Sequence, residues 1–234
     1  MQTVDRHNPV SRDSFGWWCW FSLQRAVAFL ALVALAPLML VLYIAVRVDS
    51  RGGFIYKQLR PGRAGVLFNA YKIRTMTVGA DRNPMLARAV AADAPEVTRI
   101  GHVLRETKLD ELPQLWNIVR GDMALVGPRP IAVPLYEHLA EAVPGFSQRL
   151  SVHPGLTSLA QVCIKENAAV EDVVQDWSMR FEGERHYMAN QSVLYDLVIL
   201  GLTLRFLLFK AARTFSSYRS RRQDEALSLP RSRA

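Results

Sequence analysis

The stretch from Thr98 to Pro130, TRIGHVLRETKLDELPQLWNIVRGDMALVGPRP, places two adjacent carboxylates, Asp110 and Glu111, immediately before a short apolar segment. Apolar side chains in that segment recur at three- and four-residue spacing: Leu112, Leu115, Trp116 and Val119. This spacing predicts an amphipathic helix over Glu111 to Arg120 that packs one face on a core. Asp110 then lies at the helix start, where free backbone N–H groups are available, and Gly121 ends the helix.

Two interpretations of the acidic pair remain open from this stretch. Asp110 could be only an N-cap, with Glu111 a first-turn acid favoured by the helix dipole. The neighbouring charges favour a chemical role, because basic residues surround the pair: Arg99, Arg105, Lys108, Arg120 and Arg129. Arg129 lies in Gly127-Pro128-Arg129-Pro130, a stiff turn that projects one guanidinium. Carboxylates, a helix N-terminus and an arginine on a rigid turn suit a metal-bridged phosphate.

The charge balance is basic, with 29 Lys and Arg against 21 Asp and Glu and a net charge of +8. Such an excess serves nucleic acid, an anionic membrane surface or a phosphorylated substrate. The two cysteines give no disulfide framework and no zinc spacing, which indicates a reducing compartment, and the five histidines form no metal-binding pair.

An uncharged apolar run of 21 residues extends from Ala26 to Val46, preceded by Trp17, Trp18 and Trp20. About 20 apolar residues match the hydrocarbon thickness of a bilayer, and tryptophan favours its interface. Pro37 lies near the middle and favours a kink. Basic residues flank both ends, so two topologies remain open: a kinked helix that spans the membrane, or a re-entrant helix that returns to the cytoplasmic side.

The rest of the chain contains further recognisable segments. Gly52 to Met76 predicts a β-hairpin around Pro61-Gly62 and Gly65. The hairpin's basic residues, interleaved with aromatics, could contact lipid headgroups or RNA; the neighbouring apolar run favours headgroups, and no nucleic-acid module is recognisable. We expect a surface loop with a short helix over 78–96, helices over 134–142 and 168–190, an interfacial helix over 193–209, and a disordered basic tail over 216–234.

Four motifs resemble those of a known family: Gln58 to Gly62 (QLRPG), Tyr71 to Met76 (YKIRTM), the stretch from Thr98 to Pro130, and His153 to Val162 (HPGLTSLAQV). They look like the bacterial sugar transferases, the monotopic phosphoglycosyl transferases that begin glycan assembly on a polyprenyl phosphate. The resemblance covers roughly residues 24 to 210 and is to the small members that consist of the catalytic domain alone.

The resemblance implies transfer of a sugar 1-phosphate from a UDP-sugar to undecaprenyl phosphate, as the first membrane step of exopolysaccharide or other glycan assembly. Asp110 is then the nucleophile that forms a covalent phosphosugar intermediate, Glu111 is its partner, and both hold magnesium. Arg105 and Arg129 match basic positions of the family's motifs and are assigned to phosphate binding. Arg74 is a further candidate, and Lys165 stands where the family usually has arginine.

The implied fold is a mainly helical α+β domain with a small β-hairpin, held on the cytoplasmic face of the bacterial inner membrane. We expect a tail with an aromatic interface segment over 1–23, a re-entrant membrane helix over 24–50, a catalytic domain with interfacial helices over 51–210, and a basic flexible tail over 211–234. The expected partners are the UDP-sugar, undecaprenyl phosphate and the membrane, without nucleic acid; a homodimer is left open.

The sequence departs from the family pattern at both ends of the domain. The Ser-Pro pair at which the family's membrane helix bends is Ala36-Pro37 here, and the usual Lys-Arg start is Gln24-Arg25. Thr157-Ser158 replaces Thr-Gly, and Cys163-Ile164-Lys165 replaces Asn-Gly-Arg. A degenerate member that only recruits other glycan enzymes, and a basic membrane or nucleic-acid-binding protein, are the alternatives to the enzyme; the intact acidic pair favours the enzyme.

Overall fold

The computed structural model describes residues 15–80, 94–164 and 173–228, with side chains placed through Lys210. The helices in these ranges are α1 (Phe15–Asp49), α2 (Arg99–Thr107), α3 (Gln114–Arg120), α4 (Val133–Ala142), α5 (Leu159–Cys163), α6 (Val173–Asn190) and α7 (Val193–Ser228). The strands are β1 (Ile55–Pro61), β2 (Leu67–Ile73), β3 (Ala124–Val126) and β4 (Gly155–Thr157). The predicted mainly helical α+β class is confirmed.

The predicted β-hairpin is present, and it packs on the first helix. β1 and β2 pair antiparallel from Ile55 opposite Ile73 to Pro61 opposite Leu67. One face of β2 enters a core with α1 and α3, whose buried members are Ala28, Phe68, Ala70, Leu115, Ile118 and Met123. Since side chains alternate along a strand, Lys72 lies on the same inward face as Phe68 and Ala70.

A second, parallel strand pair joins β3 to β4, and sequence patterns did not predict it. Its strands have only three residues each, too few for a period-two pattern to emerge. Glycines permit the close approach: a Cβ on Gly155 would lie 2.1 Å from the backbone nitrogen of Gly127. This pair fixes the chain at the start of the Gly127 to Pro130 turn.

The helix predicted over Glu111 to Arg120 is shorter than expected. Residues Leu109–Glu111 form a 3-10 turn, and the α-helix begins only at Gln114, behind Pro113. Asp110 is therefore not an N-cap, and the cap position lies at Pro113 without a side-chain hydrogen bond. The buried residues of α3 are Gln114, Leu115, Asn117 and Ile118, whereas Trp116, predicted to face the core, is 47% exposed.

The C-terminal helices lie where they were predicted. α4 matches the predicted segment, and α6 covers the described part of the segment predicted over 168–190, whose first residues lie outside the described ranges. α7 continues to Ser228, beyond the predicted start of a disordered tail. Arg, Gln, Glu, Ala and Leu in that last segment are good helix formers, which explains the extension. The short helix expected within 78–96 falls mostly on residues 81–93, outside the described part of the chain.

α1 is long and apolar enough to cross a membrane, and almost none of its apolar stretch is buried. Large apolar side chains along it are exposed, among them Leu30, Val33, Leu40, Val41 and Ile44. A soluble protein would bury such a helix, so the surface of α1 indicates membrane association. Whether the helix is re-entrant stays a prediction.

Candidate functional site

The acidic pair lies in the 3-10 turn between α2 and α3, with both side chains buried: Asp110 is 6% exposed and Glu111 7%. Lys108 precedes the turn in a left-handed conformation (φ 59°), and its N–H donates to the carbonyl of Arg105. A left-handed lysine costs roughly 1–2 kcal/mol relative to glycine, a kind of strain that is concentrated at functional sites. The reversal at Lys108 turns the chain so that both carboxylates face inward.

Two cationic side chains contact Glu111, one from a residue that precedes it in the sequence and one from a residue that follows it. Lys72 Nζ, from β2, lies 3.0 Å from Glu111 Oε1 and 3.8 Å from Asp110 Oδ2. Arg129 Nη2, from the turn after β3, donates to the same Glu111 oxygen at 2.7 Å. The pair predicted from sequence is thus brought together with Arg129, as expected, and with Lys72, which the sequence prediction did not assign to the site.

The two carboxylates have opposite electrostatic environments. Burial would raise the pKa of Glu111, but attraction to Arg129 and Lys72 outweighs it and holds this pKa well below its ordinary value. Burial raises the pKa of Asp110, opposed by the more distant Lys72 and reinforced by Glu111. Burial also lowers the pKa of Lys72 despite its acidic neighbours. Glu111 is therefore a fixed anion, and Asp110 is the more basic carboxylate.

The turn that presents Arg129 has its main chain fixed by neighbouring elements. Gly127 N–H donates to the carbonyl of Thr157 at 3.0 Å, and Gly155 N–H donates to the carbonyl of Pro128 at 2.9 Å. Arg60 donates from Nη1 to the carbonyl of Pro130. Proline has no backbone N–H, so the two prolines cannot donate hydrogen bonds within the turn. The bonds from neighbouring elements satisfy the remaining polar backbone groups and agree with the predicted rigid turn.

A buried ion pair also contacts this turn. Arg129 N–H donates to Glu184 Oε1 at 3.0 Å, and Arg149 Nη2 donates both to the carbonyl of Arg129 at 2.7 Å and to Glu184 Oε1 at 2.8 Å. Glu184 is on α6, and Arg149 lies in the 3-10 turn Phe146–Ser151. Sequence reasoning missed both residues, because their partners are at least 20 residues away along the chain.

Two more arginines add positive charge around the pair. Arg60 is buried, and burial together with Arg129 lowers its pKa to about 10, so it is charged at neutral pH. Arg105 donates from Nε to Thr75 Oγ1 at 2.9 Å; burial lowers its pKa, and Asp110 opposes this shift. With Lys72, Arg129 and Lys108, whose charge also attracts both carboxylates, the site holds five cations around the acidic pair, an excess suited to a diphosphate.

Arg74 is not brought to the acidic pair. Arg74 donates to the carbonyls of Ser50, Arg51 and Gly53 at 2.6–2.8 Å, which ties the end of β2 to the loop that follows α1. Its role in phosphate binding stays a prediction, and these contacts give it a structural task. Lys165 lies outside the described residues.

The acidic pair could supply two carboxylate ligands to magnesium, but not a complete set of protein ligands. Asp110 Oδ1 is buried and has no hydrogen-bond partner among the described residues. No group of three His, Cys, Asp or Glu side chains that could enclose a metal occurs in the described ranges. Magnesium commonly takes one or two protein carboxylates and completes its shell with water and substrate phosphates, so Asp110 and Glu111 suit an ion that is shared with a diphosphate.

Lys72 and Arg60 could have been found from the hairpin register. Lys72 is opposite Tyr56 and Arg60 is opposite Phe68, on the face that buries Phe68 and Ala70. A charged side chain on a buried strand face is unfavourable unless it meets a counter-charge. The alternation therefore carries a signal for both residues once the pairing is known.

Comparisons with known proteins agree with this geometry. The family model described as bacterial sugar transferase matches residues 19–210. A UDP-glucose:undecaprenyl-phosphate glucose-1-phosphate transferase of Caulobacter vibrioides is 38% identical over 186 residues, 80% of this chain and 68% of that protein. The exopolysaccharide production protein ExoY of Sinorhizobium fredii is 37% identical, over 78% of this chain and 82% of its own.

A longer relative carries a different sugar in its name. The UDP-N-acetylgalactosamine-undecaprenyl-phosphate N-acetylgalactosaminephosphotransferase of Aeromonas hydrophila is 32% identical over 77% of this chain, which spans 41% of that protein. The match to the family model covers most of the chain and includes the acidic pair, Lys72 and Arg129. The chain therefore belongs to the bacterial sugar transferase family and is a transferase.

Proposed function

We propose that the protein transfers a sugar 1-phosphate from a UDP-sugar to undecaprenyl phosphate, as the first membrane step of exopolysaccharide or other glycan assembly. The observation that carries the proposal is the buried Asp110, whose Oδ1 has no partner in the described chain, next to a Glu111 that Lys72 and Arg129 hold in place. The relatives from Caulobacter vibrioides and Aeromonas hydrophila, whose names give this type of reaction, support the substrate classes.

In the proposed mechanism, the Asp110 carboxylate attacks the phosphorus nearest the sugar. A bond forms between Asp110 and that phosphorus, the diphosphate P–O bond breaks, and its electron pair leaves on UMP. An oxygen of undecaprenyl phosphate then attacks the same phosphorus, and the Asp110–phosphorus bond breaks to restore the carboxylate. Two successive displacements at one aspartate need no complex that holds both substrates at once.

The surrounding cations make an attack by one anion on another feasible. Like-charge repulsion between a carboxylate and a diphosphate is relieved by fixed positive groups in a buried site. Lys72 lies 3.8 Å from the attacking carboxylate, and Arg129 is held beside it through Glu111 at 2.7 Å. Glu111 thereby acts as the anchor of both cations, while Asp110 keeps the more basic oxygen.

We assign magnesium binding to Asp110 and Glu111 in the same proposal. When bound, the ion would neutralise part of the charge of the diphosphate and of the departing UMP. The buried Asp110 Oδ1, unpaired within the described residues, supports this assignment.

The proposed membrane arrangement is a re-entrant α1 with both ends on the cytoplasmic face. Near its start, Trp20 Nε1 donates to Asp196 Oδ2 at 2.8 Å, and Gln24 Oε1 accepts from Leu125 N–H at 2.8 Å. At its end, Asp49 Oδ2 accepts from Ile100 N–H at 3.0 Å. A helix that crossed the bilayer could not bond to one domain at both ends, so these contacts support re-entrance. The exposed apolar residues of α7 support an interfacial position for its first half.

The direct test is UMP release by purified protein with magnesium, undecaprenyl phosphate and a panel that includes UDP-glucose and UDP-N-acetylgalactosamine. We expect lipid-dependent release with one donor, and its loss in Asp110→Asn but not in Asp176→Asn, which makes the same change in an ion pair on α6. Without the lipid, the mass of the wild-type chain should increase by one phosphosugar, and that of Asp110→Asn should not. A folded protein that releases no UMP with any donor would contradict the proposal.

A further inference from the structure

A buried ion pair lies behind the turn that carries Arg129. Glu184 is 1% exposed and Arg149 is 5% exposed, and their charged atoms are 2.8 Å apart. Removing two charges from water is costly, and apolar residues of similar volume usually stabilise a core as well or better. The contacts of this pair therefore point to a task other than stability.

The pair holds both peptide groups that flank the α-carbon of Arg129. Glu184 Oε1 accepts from Arg129 N–H at 3.0 Å, while Arg149 Nη2 donates to the carbonyl of Arg129 at 2.7 Å. The Arg129 guanidinium in turn contacts Glu111 at 2.7 Å. Short contacts thus connect Glu184 on α6 to the main chain of Arg129, and the side chain of Arg129 to Glu111.

Neither member of the pair is placed to bind substrate itself. The Arg149 guanidinium lies 4.7 Å from the ring centre of Phe146 and 5.4 Å from that of Trp177, and its Nη2 is already used twice. Glu184 is enclosed by α6 and the turn, and it is an anion, which would repel a diphosphate. Any effect of the pair on substrate must therefore pass through Arg129.

We propose that Glu184 and Arg149 are positioning residues that fix the main chain of Arg129, so that its guanidinium meets the donor diphosphate while it holds Glu111. The inference rests on the proposed function, because it gives Arg129 a diphosphate to bind. An arginine places its donors in a fixed fork, so a shift of its α-carbon moves all of them together.

The test is a double-mutant cycle on the binding of UDP, measured calorimetrically with the full chain in detergent micelles. Binding needs no turnover, so inactive variants still give a dissociation constant. Glu184→Gln keeps the shape and one acceptor oxygen but leaves the buried Arg149 without a counter-charge. We expect it to weaken UDP binding about fivefold alone, within the coupling range of residues in contact, and less than about twofold in the Arg129→Ala background.

Two further variants keep the outcome interpretable. Arg149→Lys retains the charge but offers a single point donor that cannot serve Glu184 and the Arg129 carbonyl as the fork does, so it should follow the same pattern if Glu184→Gln does not fold. Glu182→Gln makes the same change two residues away in an exposed pair with Arg185 and should leave UDP binding unchanged.

The possible failures are distinct. If Glu184→Gln weakens UDP binding equally in the wild-type chain and in the Arg129→Ala variant, or does not weaken it, the positioning inference is overturned. If Arg129→Ala itself leaves UDP binding unchanged, the phosphate-binding role of Arg129 fails. A wild-type chain that does not bind UDP would instead contradict the proposed function.

Discussion

Replacement of Asn117 by leucine would test how the site is assembled, because this fully buried side chain joins α3 to β2. Its Nδ2 donates to the carbonyl of Asn69 at 2.8 Å, and its Oδ1 accepts from Tyr71 N–H at 3.1 Å. One amide thus bonds the free edge of β2 on both sides of residue 70, as a neighbouring parallel strand would. Lys72, the next residue on that strand, contacts both members of the acidic pair.

Leucine has nearly the same volume but offers neither bond, so two main-chain groups of β2 lose their partners. Each unsatisfied buried group costs about 1–3 kcal/mol, and partial access to water at this edge places the sum at about 2–4 kcal/mol of unfolding free energy. Pulse proteolysis in detergent micelles would measure it. Transfer activity should decrease by more than the folded fraction does, because the strand that carries Lys72 loses its attachment.

The matched control is Asn190→Leu, the same change at an exposed asparagine that donates to the carbonyl of His186. It should alter the unfolding free energy by less than about 0.5 kcal/mol. If Asn117→Leu were no more destabilising than this control, the amide would not hold the strand, and the positioning of Lys72 would need another explanation.

Three more predictions concern individual basic residues. Lys72→Met removes a positive charge that lowers the pKa of Asp110, so this pKa should rise further. Because Asp110 is proposed to attack only as the carboxylate, the acidic limb of the pH profile of kcat/KM should move to higher pH. An unmoved limb would contradict the assigned nucleophile. Lys108→Gly should relieve the left-handed backbone strain and raise the unfolding free energy by about 0.5–1 kcal/mol. It should also lower kcat/KM, because it removes a positive charge beside the acidic pair. Equal activity would show that the lysine charge is not used. Arg74→Leu should lower the thermal midpoint but leave the UDP dissociation constant within about twofold, because its three bonds go to the loop that follows α1. Clear loss of UDP binding would instead support the predicted role of Arg74 in phosphate binding.

Sequence alone predicted the parts of the fold that depend on local chemistry. The hairpin follows from the Pro61-Gly62 turn between apolar runs, and the rigid Arg129 turn follows from two prolines and Gly127. The acidic pair was recognised through its basic neighbours and through the family resemblance. Each of these local signals lies close in the chain to the feature that it predicts.

The parts that were missed depend on contacts between distant segments. The β3 and β4 pair joins Val126 to Thr157, Glu184 contacts Arg129 from 55 residues along the chain, and Asp196 is buried with hydrogen bonds from Trp20 and Tyr187. Trp116 was misplaced because two polar residues, Gln114 and Asn117, share the buried face of α3 with Leu115 and Ile118, and Asn117 does so through its bonds to β2. An apolar pattern does not count polar residues among those that face the core.

The different environments of two adjacent carboxylates explain how one acidic pair can divide its tasks. Glu111 has two cations within 3.0 Å, which hold it ionised and in place. Asp110 meets Lys72 only at 3.8 Å, and its Oδ1 has no partner among the residues that the structure describes. In the proposed mechanism Glu111, the residue with the better partners, is the poorer nucleophile, because its charge is already neutralised. Pairs of acids whose surroundings push their pKa values apart assume separate chemical roles. The contrast arises because β2 and the Arg129 turn both reach Glu111. In the proposed function, this leaves Asp110 as the group that reacts.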